Sequence, residues 1–202
     1  MRSPRLAAAA ALALVAVLPA TASAADRAFA ATGSFAVEVK PIAGSSTKVV
    51  VPTGAPAAMG RPLVVASHGW SASGDNQLGW AKHFASWGLV VAVPSFPSPY
   101  TPDYQVNEKI IEDLVTDLTG PSAATYGVAP KAKVGLEGHS AGGLATTLAA
   151  AKISPDAVVL FDPVDSNASG SSPPPRDVRT HKRDSNRACN GGTKNPARQV
   201  DA

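Results

Sequence analysis

The chain has 202 residues and a formal net charge of +3, from 18 Lys and Arg against 15 Asp and Glu. Seven of the basic residues and three of the acidic ones lie between residues 176 and 202, so the rest of the chain is close to neutral. This distribution argues against a basic surface on the folded body, and the basic tail has no aromatic residue on which nucleic-acid bases would stack. We therefore expect no nucleic-acid partner.

The N-terminus has the layout of a secretory signal peptide. A basic start at residues 1–5 precedes an apolar run at residues 6–20, and Ala22-Ser23-Ala24 offers a cleavage site. The run is shorter than a membrane-spanning helix requires, although a membrane anchor is the alternative. Residues 1–24 are therefore predicted to be removed, which leaves a secreted or periplasmic protein without a membrane span.

Short apolar segments in the next part of the chain predict strands. Residues 34–40 alternate in polarity, as in a half-buried edge strand. Four further segments are nearly continuous runs of apolar residues, typical of strands covered on both faces, and a fifth leads into the motif described below. These segments are residues 48–51, 62–67, 89–93 and 157–161, and then 132–137.

Helical patterns separate the later strands. Residues 76–87 place Trp80, Phe84 and Trp87 on one face, and Gly88 is predicted to end that helix. A second helix is predicted to begin at Thr101-Pro102 and to end at Gly120. Its apolar stripe is predicted to consist of Val106, Ile110, Leu114 and Leu118. With a third helix at residues 141–152, the alternation predicts an α/β domain with a parallel sheet over residues 25–165.

The composition changes after Phe161. Between residues 163 and 202, only Val164, Val178 and Val200 belong to the large apolar residue types. Such a segment cannot offset its ordering entropy by burying apolar surface. Residues 166–202 are therefore predicted to be a disordered or poorly packed basic tail.

The most informative motif is Gly138-His139-Ser140-Ala141-Gly142, which reads G-x-S-x-G between a predicted strand and a predicted helix. In that context the pattern is typical of a sharp turn that presents a nucleophilic serine, with the helix N-terminus aimed at a developing oxyanion. The alternative is a glycine-rich turn with an incidental serine. The pattern predicts Ser140 as the nucleophile and the Ala141 N–H as one oxyanion donor.

Two further segments supply candidate partners for Ser140. His68-Gly69-Trp70 follows the strand at 62–67, so the Trp70 N–H is the second candidate oxyanion donor; the alternative is a plain turn with Trp70 in the core. Asp162 ends the strand at 157–161 and is the candidate acid. Asp165 is the second choice, and both residues are also common turn caps.

The catalytic histidine is harder to assign. His181 is the only histidine after Asp162, but it lies in a cationic polar stretch with no predicted strand before it. We expect a solvated residue there. The four histidines and the single cysteine, Cys189, lack the spacing of metal ligands, so no metal site is expected.

Together, Ser67-His68-Gly69-Trp70, Gly138-His139-Ser140-Ala141-Gly142-Gly143 and Phe161-Asp162-Pro163-Val164-Asp165 resemble α/β-hydrolases over roughly residues 35–165. The nearest likeness is to chlorophyllase-like and polyester-hydrolase-like secreted serine esterases. The resemblance implies an α/β-hydrolase-type, doubly wound, mostly parallel sheet, with Ser140 as nucleophile, Trp70 and Ala141 as the oxyanion hole and Asp162 as the acid. Members of the family continue with further strands and a late loop that carries the histidine. The polar tail and lone Cys189 therefore predict an incomplete C-terminal part, as in a truncated or frameshifted product.

Three functions follow as expectations. The first is a secreted serine hydrolase that cleaves small-molecule or polymeric carboxylic esters through an acyl-enzyme at Ser140, with no cofactor. The second is an inactive remnant or binding module that lacks the late histidine. The third is an acyltransferase on the same scaffold. The sequence does not determine the substrate or the oligomeric state.

Overall fold

The computed structural model describes residues 28–54 and 60–164, and the backbone alone of residues 178–181. The chain divides into two units, Met1–Ala31 and Thr32–Ala202. In the first unit, the described residues 28–30 are helical. The predicted signal peptide at 1–24 lies outside the described residues, as do Asp165 and Cys189.

Seven strands in the second unit form one sheet in the order β1-β2-β4-β3-β5-β6-β7. The strands from β4 onward along this order run parallel, whereas β2 pairs antiparallel with both β1 and β4. The strands are β1 (Val37–Pro41), β2 (Lys48–Pro52), β3 (Leu63–Ser67), β4 (Val90–Val93), β5 (Val134–His139), β6 (Ala157–Phe161) and β7 (Val178–His181). The predicted α/β class with a mostly parallel sheet is confirmed.

Four α-helices connect or flank these strands in the described residues. They are α1 (Leu78–Ser86), α2 (Tyr104–Thr119), α3 (Ala123–Tyr126) and α4 (Ala141–Ile153), and a 3-10 turn at Gly74–Gln77 leads into α1. Helices α2 and α4 lie on one face of the sheet and α1 lies on the other, so two separate apolar cores form. None of the helices in the described ranges is both long enough and apolar enough to cross a bilayer.

The larger core fills the space between the sheet and the α2–α4 layer. Leu63 and Val65 of β3 point into it together with Leu136 of β5, and Ile111 of α2 packs against them. The smaller core lies under α1, where Ala81 and Ala85 pack against the other face of the sheet, on β2 and β4. The alternation of the two cores along each strand follows from the two-residue period of side chains in a β-strand.

The face of α1 differs from the prediction. Ala81 and Ala85 are fully buried against the sheet, whereas Trp80 is 52% exposed. Small side chains allow the helix to approach the sheet closely, and the aromatic rings are displaced to the edge of the contact. There, Trp80 stacks on Phe84 and on Phe161 of β6. The predicted end of this helix is confirmed, because Gly88 adopts a φ of 96°.

The start and the apolar stripe of α2 also differ from the prediction. Asp103, not Thr101, is the N-cap, since its carboxylate accepts hydrogen bonds from the N–H groups of Gln105 and Val106. Val106 is exposed, and Asn107 and Ile111 take the buried positions at the start of the stripe. Capping by a carboxylate satisfies two N–H groups and favours the negative charge at the helix N-terminus, so it outcompetes Thr101.

Strand β7 falls inside the predicted disordered tail, and the sequence does not predict it. Its residues Val178–His181 pair in parallel with Val158–Phe161 of β6. An edge strand needs only one neighbour for its backbone hydrogen bonds, so the scarcity of apolar side chains there does not prevent pairing. The rest of the predicted tail, residues 166–177 and 182–202, lies outside the described residues.

Candidate active site

Ser140 lies at the junction between β5 and α4 in a backbone conformation that is rare for a residue with a side chain. Its φ is 52° and its ψ is −118°, which is the region that glycine dominates in tight turns. It occupies the N-cap position of α4, yet its side chain makes no capping hydrogen bond. The hydroxyl is therefore not used by the helix, and the predicted sharp strand-to-helix turn at this serine is confirmed.

The backbone of Ser140 is tied to the segment that follows β6. The Ser140 N–H donates to the Phe161 carbonyl at 3.0 Å, and the Val164 N–H donates to the Ser140 carbonyl at 3.1 Å. Both polar backbone groups of the strained residue are thus satisfied. Such bonds hold a residue in a conformation that it would not adopt in isolation.

The flanking glycines are needed because there is no room for side chains. A Cβ at Gly142 would lie 2.3 Å from the His68 carbonyl oxygen and 2.7 Å from that of Ser67. A Cβ at Gly138 would lie 2.5 Å from the Thr146 hydroxyl. The turn therefore packs directly against the end of β3, and this contact brings the 68–70 segment to the serine.

Substitution of Gly142 tests this close packing. We expect Gly142→Ala to lower the free energy of unfolding by about 2–3 kcal/mol, because the new methyl group meets a backbone carbonyl that cannot rotate away. Gly79, a helical glycine in α1, is the matched control, since nothing lies within 4 Å of an added Cβ there. Gly79→Ala should raise the stability by up to about 1 kcal/mol through helix propensity.

Urea unfolding of the two variants beside the wild type measures the difference. Opposite shifts of the midpoint are expected, with unchanged slopes. If Gly142→Ala shifts the midpoint in the same direction as Gly79→Ala, the turn is not packed against β3 in solution.

The segment after β3 lies against Ser140. A Cβ at Gly69 would be 3.2 Å from the Ser140 Cβ and 2.9 Å from the His139 Nδ1. The adjacent cleft is narrow, with a cavity volume of about 10 Å³, and both Trp70 and Ala141 line it. The Ala141 N–H is in the first turn of α4, where no preceding helical carbonyl can accept its hydrogen bond. The structure thus brings together three of the four predicted site residues.

His68 fixes this segment. It is buried, and its Nε2 accepts a hydrogen bond from the Phe96 N–H at 2.9 Å, so its Nδ1 donates to the Gly69 carbonyl at 2.8 Å. Because one ring nitrogen accepts a hydrogen bond and the other donates one, the imidazole is neutral. Burial lowers the pKa of His68 and favours the same neutral form. His68 is therefore a tether between the 68–70 segment and the loop after β4, and it is not placed to take a proton from Ser140.

Trp70 forms the rim of the cleft and is not a core residue. Its side chain is 60% exposed. The indole N–H donates to the Tyr100 carbonyl at 3.0 Å, and the Trp70 and Tyr100 rings meet edge to face at a centroid distance of 5.9 Å. The alternative prediction, a plain turn with Trp70 in the core, is wrong. The pair presents an aromatic surface beside Ser140.

Asp162 follows the last residue of β6, at the same edge of the sheet as Ser140. Since the Phe161 carbonyl accepts the Ser140 N–H, the backbones of nucleophile and candidate acid are neighbours. The side chain of Asp162 is exposed, and its φ is 45°. None of the histidines whose side chains the structure describes forms an ion pair with it.

The histidines differ in how they relate to this edge. His83 lies on α1, and the His139 side chain is exposed and packs beside Gly69. The backbone of His181 pairs with Phe161, so it ends β7 at the same edge, one strand beyond Asp162. His181 was predicted to lie in a polar stretch with no strand before it, and that prediction is wrong because β7 ends on this residue.

One residue of the cleft was missed by the sequence analysis. Asn107 lines the cleft from α2, is 2% exposed, and its Oδ1 has no hydrogen-bond partner. Its position in the sequence could have indicated that it is buried. Asn107 precedes the buried Ile111 by one helical turn, so a polar amide occupies a position of the apolar stripe. A buried amide with an unused hydrogen-bonding atom next to a cleft indicates a group that a bound molecule would satisfy.

Within the described ranges, no group of three His, Cys, Asp or Glu side chains is arranged to hold a metal ion. Comparison with models of protein families gives no match. Comparison with curated proteins gives no match either.

Proposed function

We propose that the chain is an α/β-hydrolase-type serine esterase that acts through an acyl-enzyme at Ser140. The observation that carries this proposal is the conformation of Ser140. The residue lies at a strained strand-to-helix turn with the Gly69 backbone against it, and its hydroxyl makes no capping hydrogen bond to the helix. The sheet order and the parallel strands β3, β5 and β6, whose carboxyl ends meet at Ser140, also support it. Active sites of open α/β sheets lie at such edges.

In the proposed reaction the Ser140 hydroxyl attacks the ester carbonyl carbon. The N–H groups of Trp70 and Ala141 stabilise the negative oxygen that develops. A histidine takes the proton from the hydroxyl and passes it to the leaving alcohol, and Asp162 orients this histidine. Water then releases the acyl group by the same steps. Apart from the ester and water, the proposed steps use only groups of the chain itself.

The aromatic rim indicates the kind of ester. Trp70 and Tyr100 are both strongly exposed at the mouth of a small cleft. The cleft itself holds only about one water molecule, so in this proposal the exposed rim contacts the larger part of the ester, whether a leaving group or a polymer chain. We therefore favour an ester with an apolar or aromatic part, either a small molecule or a polymer. If residues 1–24 act as a signal peptide, the protein acts on this ester outside the cytoplasm.

A fluorophosphonate probe tests the proposal directly. Mass spectrometry of the purified chain should show one adduct, which peptide mapping places on Ser140, and preincubation with the probe should abolish hydrolysis of p-nitrophenyl butyrate. An unmodified Ser140 after exhaustive labelling would overturn the esterase proposal. Product analysis with an added alcohol separates hydrolysis from acyl transfer.

A second candidate function is a non-catalytic binding module. The observation that favours it is Asn107, which lines the cleft and whose buried Oδ1 has no hydrogen-bond partner. Under this proposal the cleft binds a molecule through Asn107 and the Trp70–Tyr100 rim, and Ser140 has no base.

His181 separates the two functions, because its backbone ends at the carboxyl edge beside Phe161. If the chain is an esterase with His181 as base, we expect His181→Ala to lower kcat by about 10²–10⁴-fold, the usual contribution of a general base. Added imidazole should restore part of this loss. His83→Ala, on α1, is the control and should leave kcat unchanged. Equal activity of the His181→Ala and His83→Ala variants would exclude His181 as the base.

A further inference from the structure

The described residues cover the sheet face that carries α1 only in part. Helix α1 packs over β2 and β4, and beyond it the outward side chains of β3, β5 and β6 line an open groove with a volume of about 330 Å³. Val64, Phe84, Leu89 and Val159 form much of its wall, and each of them is half-buried. The volume is within the range of small-molecule sites, roughly 300–1,000 Å³.

Glu137 lies in this groove, on the strand that leads to Ser140. Leu136, its neighbour in β5, points into the larger core, so the alternation of the strand directs Glu137 to the groove face. It sits between Ala66 of β3 and Val159 of β6 in the register of the sheet. The residue is 3% exposed, and neither carboxyl oxygen has a hydrogen-bond partner.

A buried carboxyl group without a partner is costly and needs a physical reason. Burial raises the pKa of Glu137 to about 8, so the group stays protonated at neutral pH when the groove is empty. The central position of the residue in an apolar sheet does not explain it, because an apolar side chain would be more stable there. A bound cation that donates to the carboxylate would explain it.

The other charged groups of the groove are already paired. Lys133 and Asp156, at one end, lie 2.7 Å apart, and Asp156 also accepts the Val134 N–H at 2.8 Å. The remaining lining residues carry no charge. Glu137 is therefore the one unpaired ionisable group of the groove as lined by the described residues.

We propose that this groove binds an apolar amine, with the hydrocarbon part against Val64, Phe84 and Val159 and the ammonium group donating to the Glu137 carboxylate. An apolar lining with one buried acid favours a ligand that has an apolar part and one positive charge. The hydrocarbon part gains about 0.8 kcal/mol for each buried CH₂ group. An anion would place like charges together, and a neutral alcohol would lack the charge-assisted hydrogen bond. The site is independent of the chemistry proposed for Ser140.

Three ligands that share one hydrocarbon chain test the proposal: octylamine, octanol and octanoate. Isothermal titration calorimetry on the full chain at about pH 8.5 should give a Kd for octylamine at least about ten-fold lower than for octanol, as expected for a hydrogen bond to a charged group. Octanoate should bind most weakly. In Glu137→Gln, octylamine should lose its advantage over octanol, while octanol should bind with nearly the wild-type Kd.

The pH dependence supplies a second measurement. Binding of the ammonium group requires the ionised carboxylate, so the affinity for octylamine should rise between about pH 6 and about pH 9, and that for octanol should not. Lys133 and Asp156 hold each other and titrate outside this window. The rise should be absent in Glu137→Gln, while Glu38→Gln, an exposed glutamate of β1, should behave as the wild type.

Two results would overturn the proposal. One is equal affinity for octylamine and octanol in the wild type, or an amine preference that persists in Glu137→Gln. The other is a lack of binding by any of the three ligands together with a concentration-dependent dimer in sedimentation equilibrium, which would assign the open face to a second copy of the chain. Neither readout depends on esterase activity, so failure here and failure of the proposed function are distinguishable.

Discussion

Ser140→Ala is expected to lower kcat/KM for p-nitrophenyl butyrate by at least about 10³-fold. The alanine methyl group cannot attack the ester. If the turn keeps its shape, the loss of kcat/KM measures the contribution of the nucleophile alone. Alanine is as strained as serine at a φ of 52°, so the free energy of unfolding should change by less than about 0.5 kcal/mol. Initial rates and urea unfolding on the same preparation measure both quantities.

Ser154 at the other end of α4 is the matched control. It is an exposed serine with a φ of 50°, so Ser154→Ala makes the same chemical change on the same helix and should keep full activity. Ser140→Gly adds a complementary result, since glycine tolerates the positive φ: activity is lost while stability rises by about 1 kcal/mol. Hydrolysis by Ser140→Ala at the wild-type rate would remove Ser140 from the reaction.

Stability should fall as the pH rises, and Glu137 is expected to be the main cause. Its folded pKa of about 8 lies above the ordinary value of 4.5 for a glutamate side chain. Between these values the unfolded chain has released a proton that the folded protein keeps. The free energy of unfolding therefore decreases by about 1.4 kcal/mol per pH unit. The stability is fully present below the lower value, and the decrease levels off above the higher one.

Glu137→Gln removes the titrating group and keeps the size of the side chain. Urea unfolding at intervals from about pH 5 to about pH 9 should show a much flatter profile for this variant, which becomes more stable than the wild type at the alkaline end. Glu38→Gln is the control, because the Glu38 side chain is 55% exposed and pairs only with Lys40. Parallel profiles for wild type and Glu137→Gln would mean that the carboxyl is solvated in solution.

Much of the sheet could be predicted because its strands are short, nearly continuous runs of apolar and mostly β-branched residues, which is the pattern of strands in a parallel sheet. The strand at 157–161 is found at the same residues, and the turn at Ser140 followed from two glycines around a serine between strand and helix. Both features depend on local sequence. The segment 68–70 was found for the same reason, as a glycine directly after a buried strand.

The features that the sequence did not predict depend on contacts between distant residues. Strand β7 exists through its backbone pairing with β6, and its side chains give no apolar signal. The burial of Ala81 and Ala85 in place of Trp80 depends on how closely α1 approaches β2 and β4. Glu137 and Asn107 look like solvated residues in isolation, and only the assembled sheet and helices enclose them.

The two hydrogen bonds between Ser140 and the Phe161–Val164 segment have a consequence for motion in the molecule. Because the bonds hold the peptide groups on both sides of residue 140, a displacement of the segment moves the serine with it. Asp162 lies within this segment and therefore moves together with Ser140. The relative position of these two residues therefore changes little when the strands of the sheet move. The close contact of Gly142 with the carbonyl groups of Ser67 and His68 couples the 68–70 segment to the same unit.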